Sequence, residues 1–401
     1  MRIIVAPDSY KRSLNTAEAG HIIAEAFRME LPNATVEVFP LADGGEGTVE
    51  AVLAGTGGRR VRLTATGPMG TPIPTFYGII EHPAALPPEH RAAEPVRPMR
   101  LAQPTRPARP ATRHQSKDCH GQTRRLPPSP TQADSPMAVL ETAAVAGLTL
   151  VPPARRNPLF MTTYGLGECI RHALDHGIRR FLIGLGGSAT NDGGLGMLQA
   201  LGVGFYDREG NRLPDFKPEP VPSPAPSTDC TRRTVANWMF RIDRVDFSTL
   251  DPRLHQAEMV VASDVQSPLC GSQGASAVFG PQKGATPEQV RLLDEALAHY
   301  ADKIEACLGR AFRHDPGAGA AGGLGFALLC IGGCIQSGAR LIIHASGLAD
   351  RLPGAHWLIT GEGRTDEQTL LGKLPVTLAD MAREHGIRTI LLSGSLTGHP
   401  D

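Results

Sequence analysis

Short apolar runs rich in β-branched residues alternate with amphipathic segments along most of the chain. Residues 2–6 and 35–39 are two such runs, and residues 14–30 between them carry apolar side chains at helical spacing, after a possible cap at Ser13. An apolar run of this length predicts a strand that is buried on both faces. A strand, a helix and a second strand in close succession predict a βαβ unit with parallel strands and a right-handed crossover.

The same alternation continues along the chain and makes α/β the expected fold class. Residues 286–308 give the clearest helix, because Thr286 can cap it and Pro287 suits its first turn. Residues 61–65 and 75–80 predict the two strands of a hairpin. The other predicted strands are 138–142, 180–184, 202–206, 260–263, 357–360 and 389–393, and the other predicted helices are 48–54, 165–176, 193–201, 322–334 and 375–385.

Two proline-rich stretches do not share this pattern. Residues 81–136 contain 12 Pro and 8 Arg but no Ile, Phe, Trp or Tyr, and residues 214–226 contain 6 Pro. Such segments bury too little apolar area to offset the entropy of ordering, so disorder is predicted for 81–136 and 214–233. The longer stretch lies between two strands that would otherwise pair. Lengthening a hairpin loop of about 5 residues to about 56 costs only about 2 kcal/mol, because closure entropy grows with the logarithm of length.

The two stretches leave two interpretations open. An arm rich in Arg and Pro could bind an acidic partner or a groove of the SH3 type. Alternatively, the stretches are non-native inserts or reading-frame errors, since GC-rich DNA read in a wrong frame yields this composition.

Composition excludes several classes of protein. The 401 residues include 40 basic and 40 acidic side chains, so no global field attracts nucleic acid or an anionic membrane. No apolar run is long enough to span a bilayer. Seven cysteines without a CxxC pair are typical of a reducing, cytoplasmic compartment, and Cys330 and Cys334 are predicted to lie buried in one helix. This chain length predicts two or three domains.

The most informative segment is residues 181–194, in which an apolar strand leads into a glycine-rich turn and a helix. Backbone N–H groups at Gly186, Gly187 and Ser188 can approach an anion there, and the helix N-terminus adds a partial positive charge. Thr190, Asn191 and Asp192 follow with polar side chains. A tight turn with capping residues is the structural alternative.

The same segment also matches a dinucleotide-binding pattern. Gly184, Gly186 and Ala189 fit the GxGxxA spacing, and Asp207 follows after a predicted strand. An NAD-binding oxidoreductase is therefore an alternative function. A pyrophosphate-binding turn does not, however, require Thr-Asn-Asp directly after it.

Further polar loops follow other predicted strands, where ligands bind in open α/β sheets. Their carboxylates suit Mg²⁺ binding or proton transfer, and their lysines suit phosphate. A set of such loops together predicts phosphoryl transfer, which needs cations on the phosphates, carboxylates for Mg²⁺ and a base near the acceptor hydroxyl. The candidate residues are Asp8, Ser9, Lys11, Asp43, Glu46, Asp264, Lys283, Glu362, Arg364, Asp366 and Lys373.

Six ordered segments resemble the bacterial glycerate kinase family. They are APDSYKRSL, LADGGEGT, GLGGSATNDGG, FGPQKGAT, PGAGAAGGLG and TGEGRTDEQT with a following GK. The resemblance covers about residues 1–80, 137–213 and 241–396. It implies ATP- and Mg²⁺-dependent phosphorylation of D-glycerate, in this branch to 2-phosphoglycerate.

The resemblance also implies a two-domain fold with the site in the cleft between the domains. Residues 1–60 and 286–401 would form a doubly wound, mostly parallel domain of the Rossmann or flavodoxin type. Residues 61–285 would form a second α/β domain inserted into the first. We expect a cytoplasmic enzyme that could assemble as a homo-oligomer and that has neither nucleic acid nor membrane as a partner.

We assign roles within these segments from their chemistry. Asp192 is the expected base or the carboxylate that orients the acceptor, and Lys11 and Lys283 would neutralise phosphate or glycerate charge. Asp43, Asp264 and Asp366 are candidates for Mg²⁺ or for the glycerate hydroxyls. Gly186 to Thr190 would bind phosphates, together with Asn191, Asp8, Ser9, Glu362 and Lys373.

Several positions depart from the family pattern. Arg12 stands where the family usually has Gly, residues 81–136 have no expected counterpart, and residues 214–240 replace a glycine-rich loop and helix. The sequence ends at Asp401, shortly after a predicted strand, so part of one sheet is expected to be uncovered and prone to association. An inactive or damaged relative of the family is therefore a further alternative.

Overall fold

The structure is a computed structural model of the chain, and it describes residues 1–10, 13–42, 44–83, 135–216, 218, 234–366, 369 and 373–397. Its strands are β1 (Arg2–Val5), β2 (Thr35–Val38), β3 (Arg59–Thr66), β4 (Pro72–Ile80), β5 (Met137–Glu141), β6 (Arg180–Gly184), β7 (Gly204–Tyr206), β8 (Arg244–Asp246), β9 (Glu258–Ala262), β10 (Cys334–Gln336), β11 (Trp357–Glu362) and β12 (Arg388–Ser393).

Helices follow most of these strands, which confirms the mixed α/β class with parallel sheets. They are α1 (Thr16–Glu30), α2 (Thr48–Thr56), α3 (Ala143–Ala146), α4 (Tyr164–Asp175), α5 (Leu195–Ala200), α6 (Val235–Phe240), α7 (Ala275–Phe279), α8 (Pro287–Leu308), α9 (Ala320–Cys330), α10 (Gly338–Ala345), α11 (Leu348–Arg351) and α12 (Leu374–Glu384). None of the helices in the described ranges is both long and apolar enough to cross a bilayer.

A four-stranded parallel sheet joins the two ends of the sequence. Its strand order is β12-β11-β1-β2, and all three pairings are parallel. The pairing of β1 with β11 brings residue 5 beside residue 359. The carboxyl ends of these strands, and the loops that follow them, therefore lie at one edge of the sheet.

A six-stranded mixed sheet contains most of the remaining strands, in the order β10-β9-β6-β5-β4-β3. The strands β5, β6, β9 and β10 are parallel, and β3 and β4 form the predicted antiparallel hairpin. Antiparallel pairing of β4 with β5 places Ile80 opposite Met137. The strands on either side of the proline-rich stretch 81–136 therefore pair as the sequence predicts.

The two sheets share one apolar core. Its members on the four-stranded sheet include Ile4 and Leu358, and those on the six-stranded sheet include Leu182 and Val260. The helices α2, α10 and α12 supply most of the other side chains of this core. Separate cores cover the outer faces: α1 packs on the four-stranded sheet, and α4, α5, α8 and α9 pack on the six-stranded sheet.

Several local predictions are corrected by the structure. Asn15 caps α1 through a capping box with Glu18, so the helix begins two residues later than the Ser13 cap predicts. Of the predicted pair, Cys330 lies buried in α9, whereas Cys334 lies in β10 and is half-buried. The difference arises because Gly332 and Gly333 end α9 before Cys334.

Most of the two predicted disordered stretches lies outside the described residues. The described end of the second stretch is ordered, since Phe216 is buried and its N–H donates to Gln199 Oε1 at 2.9 Å. Residues 235–240 form α6, and Trp238 and Met239 on it are buried in the larger core. The sequence pattern missed this helix because proline-rich residues precede it.

The contact between α2 and α10 yields a stability prediction. A Cβ added at Gly55 would overlap the carbonyl oxygen of Ser346 at the end of α10. Helix propensity alone predicts that Gly55→Ala stabilises the protein by about 1 kcal/mol. We expect instead a loss of about 1–3 kcal/mol, because the two helices must separate.

Chemical denaturation measures this difference. Ala54→Gly, in the same helical turn and exposed to solvent, serves as the control for propensity and should cost about 1 kcal/mol. A gain in stability for Gly55→Ala would contradict the contact.

Candidate active site

The loop after β2 lies directly on the glycine-rich turn after β6. The N–H of Gly186 donates to the carbonyl of Gly44 at 3.0 Å, and a Cβ at Gly186 would lie 2.5 Å from the Cα of Gly45. The loop bearing Asp43 and the turn bearing Ser188 therefore meet, although they follow strands of different sheets. Asp43 itself lies outside the described residues.

The turn from Gly186 to Thr190 is only partly available to an anion. The N–H of Gly186 is bonded to Gly44, and the N–H of Ala189 donates to the carbonyl of Ala146 at 2.8 Å. Gly187 is exposed, and its φ of 74° lies in the left-handed region that favours glycine. Among the N–H groups predicted to bind phosphate, that of Gly186 is therefore engaged within the fold, and the contacts of Gly187 and Ser188 with phosphate stay predictions.

Lys283 reaches this turn from a short 3₁₀ turn at residues 281–283. Its Nζ donates to Ser188 Oγ at 2.9 Å and to the carbonyl of Thr190 at 2.7 Å, and the residue is only 3% exposed. Burial lowers the pKa of Lys283 to about 7, while the negative charge of Asp192 acts in the opposite direction. The amine of Lys283, which can be charged or neutral near pH 7, therefore contacts the turn from Ser188 to Thr190.

Asp192 is completely buried, and backbone and hydroxyl groups surround its carboxylate. Its Oδ2 accepts from the N–H and the Oγ1 of Thr163, both at 2.8 Å, and from the N–H of Gly196 at 3.3 Å, while Oδ1 accepts from Gly194 at 3.1 Å. Burial raises the pKa of this carboxyl, and the hydrogen bonds oppose that shift. Such a carboxylate holds the start of α5 against Thr163, and its role as base or acceptor-orienting group stays a prediction.

Two buried oxygens beside Lys283 have no hydrogen-bond partner. They are Thr190 Oγ1 and Asn191 Oδ1, whereas Asn191 Nδ2 donates to Ser276 Oγ at 2.8 Å. Buried polar groups are rarely left unpaired unless the site has a function or holds a water or ligand. Of the predicted binding residues, Ser188, Thr190, Asn191 and Lys283 are thus brought together.

The glycine-rich segment 316–325 packs against the backbone of Thr190 and Gly193, and so supports the cluster of Ser188, Thr190, Asn191 and Lys283. Ala321, Gly322 and Gly323 all have positive φ, and the N–H of Gly193 donates to the carbonyl of Gly322 at 2.9 Å. A Cβ at Gly322 would overlap the carbonyl oxygen of Thr190. Glycine is therefore needed there both for the backbone conformation and for the close approach.

A second cluster lies at the carboxyl edge of the four-stranded sheet. The N–H of Asp8 donates to the carbonyl of Gly361 at 2.7 Å, which places Asp8 and Ser9 beside the end of β11. Glu362 is buried, and its Oε1 accepts from Thr369 Oγ1 at 2.7 Å. Lys11 lies outside the described residues.

Asp366 belongs to the same cluster and lies between two cations. Its carboxylate is 3.5 Å from the Arg364 Nε and 3.9 Å from the Lys373 Nζ. Lys373 directly precedes α12, so its backbone and the first turn of that helix share the site. The predicted residues Asp8, Ser9, Glu362, Asp366 and Lys373 are thus gathered at one edge.

Asp264 follows β9 and is already engaged with the start of α10. Its Oδ1 accepts from Ser337 Oγ and from the N–H of Gly338, both at 2.9 Å. Within the described ranges, His, Cys, Asp and Glu side chains do not form a group of three that could hold a metal ion. Mg²⁺ bound with a nucleotide needs only one or two protein carboxylates besides the phosphates, and Asp366 can supply one.

Sequence reasoning missed Glu141, which links the two sheets at the site. It ends β5, is 4% exposed, and accepts from the N–H groups of Val49 at 3.0 Å and of Gly47 at the start of α2. Burial raises the pKa of Glu141 to about 7, and the charges of Glu50 and Glu46 act in the same direction. A buried acid at the end of an otherwise apolar strand is the only signal that the sequence carries.

The topology does not support the dinucleotide-binding alternative. A dinucleotide unit needs the strand after α5 to lie parallel to β6 in the same sheet. Instead, β7 pairs antiparallel with β8 in a separate two-stranded sheet. Asp207 therefore follows a strand that does not belong to the sheet of the glycine-rich turn.

Comparisons with known proteins agree with one another. The model of a family described as the glycerate kinase family matches residues 3–88 and 115–401. The glycerate kinase of Haemophilus influenzae is 37% identical over 397 residues, which cover 99% of this chain and 86% of that protein. The glycerate 2-kinase of Escherichia coli K12 is 36% identical over 398 residues, again covering 99% of this chain and 86% of its own length.

A solved structure gives the same result. A crystal structure of a Salmonella typhimurium LT2 protein, provisionally named glycerate kinase 2, has a TM-score of 0.72 and 39% identity and covers 100% of this chain and 88% of the other.

The family match runs through residues 214–240 and through most of 81–136. The prediction that 81–136 has no family counterpart is therefore wrong outside residues 89–114, and the match also includes 214–240.

Gly322→Ala tests whether the segment 316–325 supports the cluster. We expect it to destabilise the protein by several kcal/mol, because the new Cβ adds an overlap with Thr190 to the cost of a positive φ. Gly177→Ala is the matched control, since its φ of 82° is similar and nothing lies within 4 Å of the added Cβ. The control should lose only about 1–2 kcal/mol in chemical denaturation, and equal losses would contradict the overlap.

Glu141→Gln tests the buried acid through the pH dependence of stability. The folded protein binds a proton at Glu141 up to pH about 7, whereas the unfolded chain releases it near the model value of 4.5. The contribution of Glu141 to the free energy of unfolding of the wild type should therefore fall as pH rises from 4.5 to 7, by up to about 3 kcal/mol, and then level off. The variant lacks this titration, so its stability relative to the wild type should rise over the same range.

Denaturation of both proteins at several pH values between 4.5 and 8 measures this difference. A constant difference across that range would show that Glu141 titrates equally in the folded and unfolded states.

Proposed function

This chain belongs to the glycerate kinase family, and we propose that it transfers the γ-phosphoryl group of ATP to a hydroxyl of D-glycerate, with 2-phosphoglycerate as the product. The observation that carries the proposal is the meeting of the loop after β2 with the turn after β6, above the buried amine of Lys283. It brings the loop after β2 of one sheet next to the turn after β6 of the other, and Lys283 contacts that turn. Phosphoryl transfer is catalysed mainly by such positioning of charges.

In this proposal the two clusters serve different parts of the reaction. Ser188, Thr190 and Asn191 lie beside Lys283 and bind the acceptor, because two unpaired buried oxygens there can accept hydrogen bonds from hydroxyl groups. Asp8, Ser9 and Lys373 bind the nucleotide at the carboxyl edge of the four-stranded sheet, where such ligands usually lie. Lys11 and Asp43, which lie outside the described residues, stay candidates for neutralising phosphate or glycerate charge and for binding Mg²⁺ or the glycerate hydroxyls.

We assign the metal to the second cluster. Mg²⁺ bound to ATP would use Asp366 as its protein carboxylate, since this side chain lies beside Lys373 at the start of α12. The metal would neutralise charge on the phosphates. Asp264 is a less suitable ligand, because its Oδ1 already accepts two hydrogen bonds.

The domain organisation is also part of the proposal. Residues at both ends of the sequence form the four-stranded sheet, which supports a doubly wound domain with another domain inserted into it. Because β10 belongs to the six-stranded sheet and α8 and α9 to its core, we place the return to the first domain after β10 and not at residue 286. The cytoplasmic location and the homo-oligomer stay predictions.

A coupled assay of ADP formation tests the function directly. The purified chain with Mg-ATP should release ADP only when D-glycerate is added, and phosphorus NMR should show 2-phosphoglycerate as the product. L-glycerate is the control for recognition of the acceptor. Removal of Mg²⁺ by a chelator should abolish turnover, and re-addition should restore it.

Two results would contradict the proposal. Absence of turnover by a well-folded chain would indicate an inactive relative, and glycerate-dependent reduction of NAD would indicate an oxidoreductase. Formation of 3-phosphoglycerate would correct the product but retain the kinase.

A further inference from the structure

Lys283 is buried, and no carboxylate of the described residues is in hydrogen-bond contact with its Nζ. Both of its hydrogen bonds in the structure go to uncharged oxygens, Ser188 Oγ at 2.9 Å and the carbonyl of Thr190 at 2.7 Å. A buried ammonium that is not paired with an anion is costly, so such a lysine readily exists as a neutral amine. This property distinguishes it from a lysine that only attracts phosphate.

The geometry around Nζ is compatible with both protonation states. The charged ammonium can donate to Ser188 and to Thr190 at once. The neutral amine can still donate one N–H to the carbonyl of Thr190, and its lone pair can then accept the hydroxyl proton of Ser188. A proton can therefore pass from Ser188 to Lys283 without any movement of the heavy atoms.

Asp192 acts electrostatically on Lys283 and on Tyr300, and Arg156 contacts the residue that follows Lys283. The negative charge of Asp192 favours the charged form of Lys283. The Asp192 carboxylate itself accepts four hydrogen bonds from Thr163, Gly194 and Gly196 and none from Lys283. Tyr300 on α8 is completely buried, and its pKa lies well above the ordinary value, so it is uncharged. Arg156 packs against Gly284, and its guanidinium donates to the carbonyl groups of Leu148 and Val151, beside the strand bridge from Gly147 to Ser188.

Ser188 is suitably placed to meet a substrate. It follows the exposed Gly187 in the turn after β6, and that turn lies against the loop bearing Asp43. The carboxylate of Asp192, which the sequence analysis assigns as the base, already accepts four hydrogen bonds within the fold, whereas the Ser188 hydroxyl contacts Lys283. The hydroxyl of Ser188 therefore lies between the exposed Gly187 and the amine of Lys283, where it could relay a proton from a bound acceptor.

We propose that Ser188 accepts the proton of the attacking glycerate hydroxyl and passes its own proton to Lys283. This inference rests on the proposed function. In the step, the glycerate O–H bond breaks as its oxygen bonds to the γ-phosphorus, and the bond from that phosphorus to the bridging oxygen of ADP breaks. The proton ends on the Nζ of Lys283, and Ser188 regains a hydroxyl. Ser188 is then a catalytic residue, and Lys283 acts through it.

The pH dependence of kcat/KM for D-glycerate tests the proposal. Lys283 must be neutral to accept the proton, and its pKa is lowered to about 7. The wild type should therefore lose about tenfold in kcat/KM for each pH unit below about 7. Lys283→Arg retains a cation that can donate hydrogen bonds but cannot lose its proton, so kcat/KM should fall by about 10²–10⁴ and the limb below pH 7 should disappear.

Substitutions at Ser188 separate this role from folding. Ser188→Ala removes only one oxygen, and we expect a loss of about 10²–10⁴ in kcat/KM with little change in the melting temperature. Ser188→Thr keeps the hydroxyl and should recover most of the activity and the limb below pH 7. Lys303→Met is the control for loss of a lysine, since Lys303 pairs with Asp243 on the surface at 3.0 Å, and it should leave the profile unchanged.

A direct titration complements the kinetics. Carbon NMR of the chain labelled at lysine should show one lysine titrating near pH 7, and this signal should be absent in Lys283→Arg. The proposal is overturned if Lys283 titrates near the ordinary lysine value of 10.5, or if Ser188→Ala keeps the wild-type pH profile. Absence of D-glycerate kinase activity in the wild type would overturn the proposed function and this step together, whereas an active wild type with an unaltered Ser188→Ala profile would overturn this step alone.

Discussion

Two loops from different sheets approach each other so closely that only glycine backbone fits between them. Gly44 and Gly45 of one loop lie against Gly184 and Gly186 of the other, and the hydrogen bond from Gly186 to Gly44 closes the contact. A side chain at either of the last two positions would push the loops apart. The relative position of all polar groups at the site depends on this contact, because each loop carries groups that the other must meet.

The shared apolar core gives this contact a rigid frame. The helices α2 and α10 lie between the two sheets and contribute side chains to the same core as both of them. Glu141 adds a polar link, since it ends a strand of one sheet and caps the helix that follows a strand of the other. The carboxyl ends of both sets of parallel strands are thus held close together by packing as well as by the glycine contact.

Elements with strong local signals could be predicted from the sequence. The β-branched runs gave the strands that flank the site, and Thr286 with Pro287 marked the start of α8 within one residue. Elements such as α6, β8 and β10 were missed, because they are short and are formed through tertiary contacts. Propensity has little influence on segments of three to six residues.

The candidate site shows the same division. Motif spacing identified the loops at Asp8, Ser188 and Lys283, because glycine and polar residues after an apolar run are a local signal. It could not identify the roles of individual side chains, because each role depends on how deeply the side chain is buried and on its hydrogen-bond partners, which only the folded chain provides. Asp192 looks like a base in the sequence but is enclosed by four donors, and Glu141 looks like part of a strand but links two sheets.

The antiparallel pairing of β4 with β5 also has a practical consequence. Ile80 and Met137 stand opposite each other, so the backbone leaves and re-enters the sheet at neighbouring points, about 5 Å apart. Any polypeptide whose own termini lie near each other could be spliced between these strands without altering their register. A fluorescent reporter or an affinity module could thus be inserted genetically between β4 and β5, at a position remote from the carboxyl end of β6.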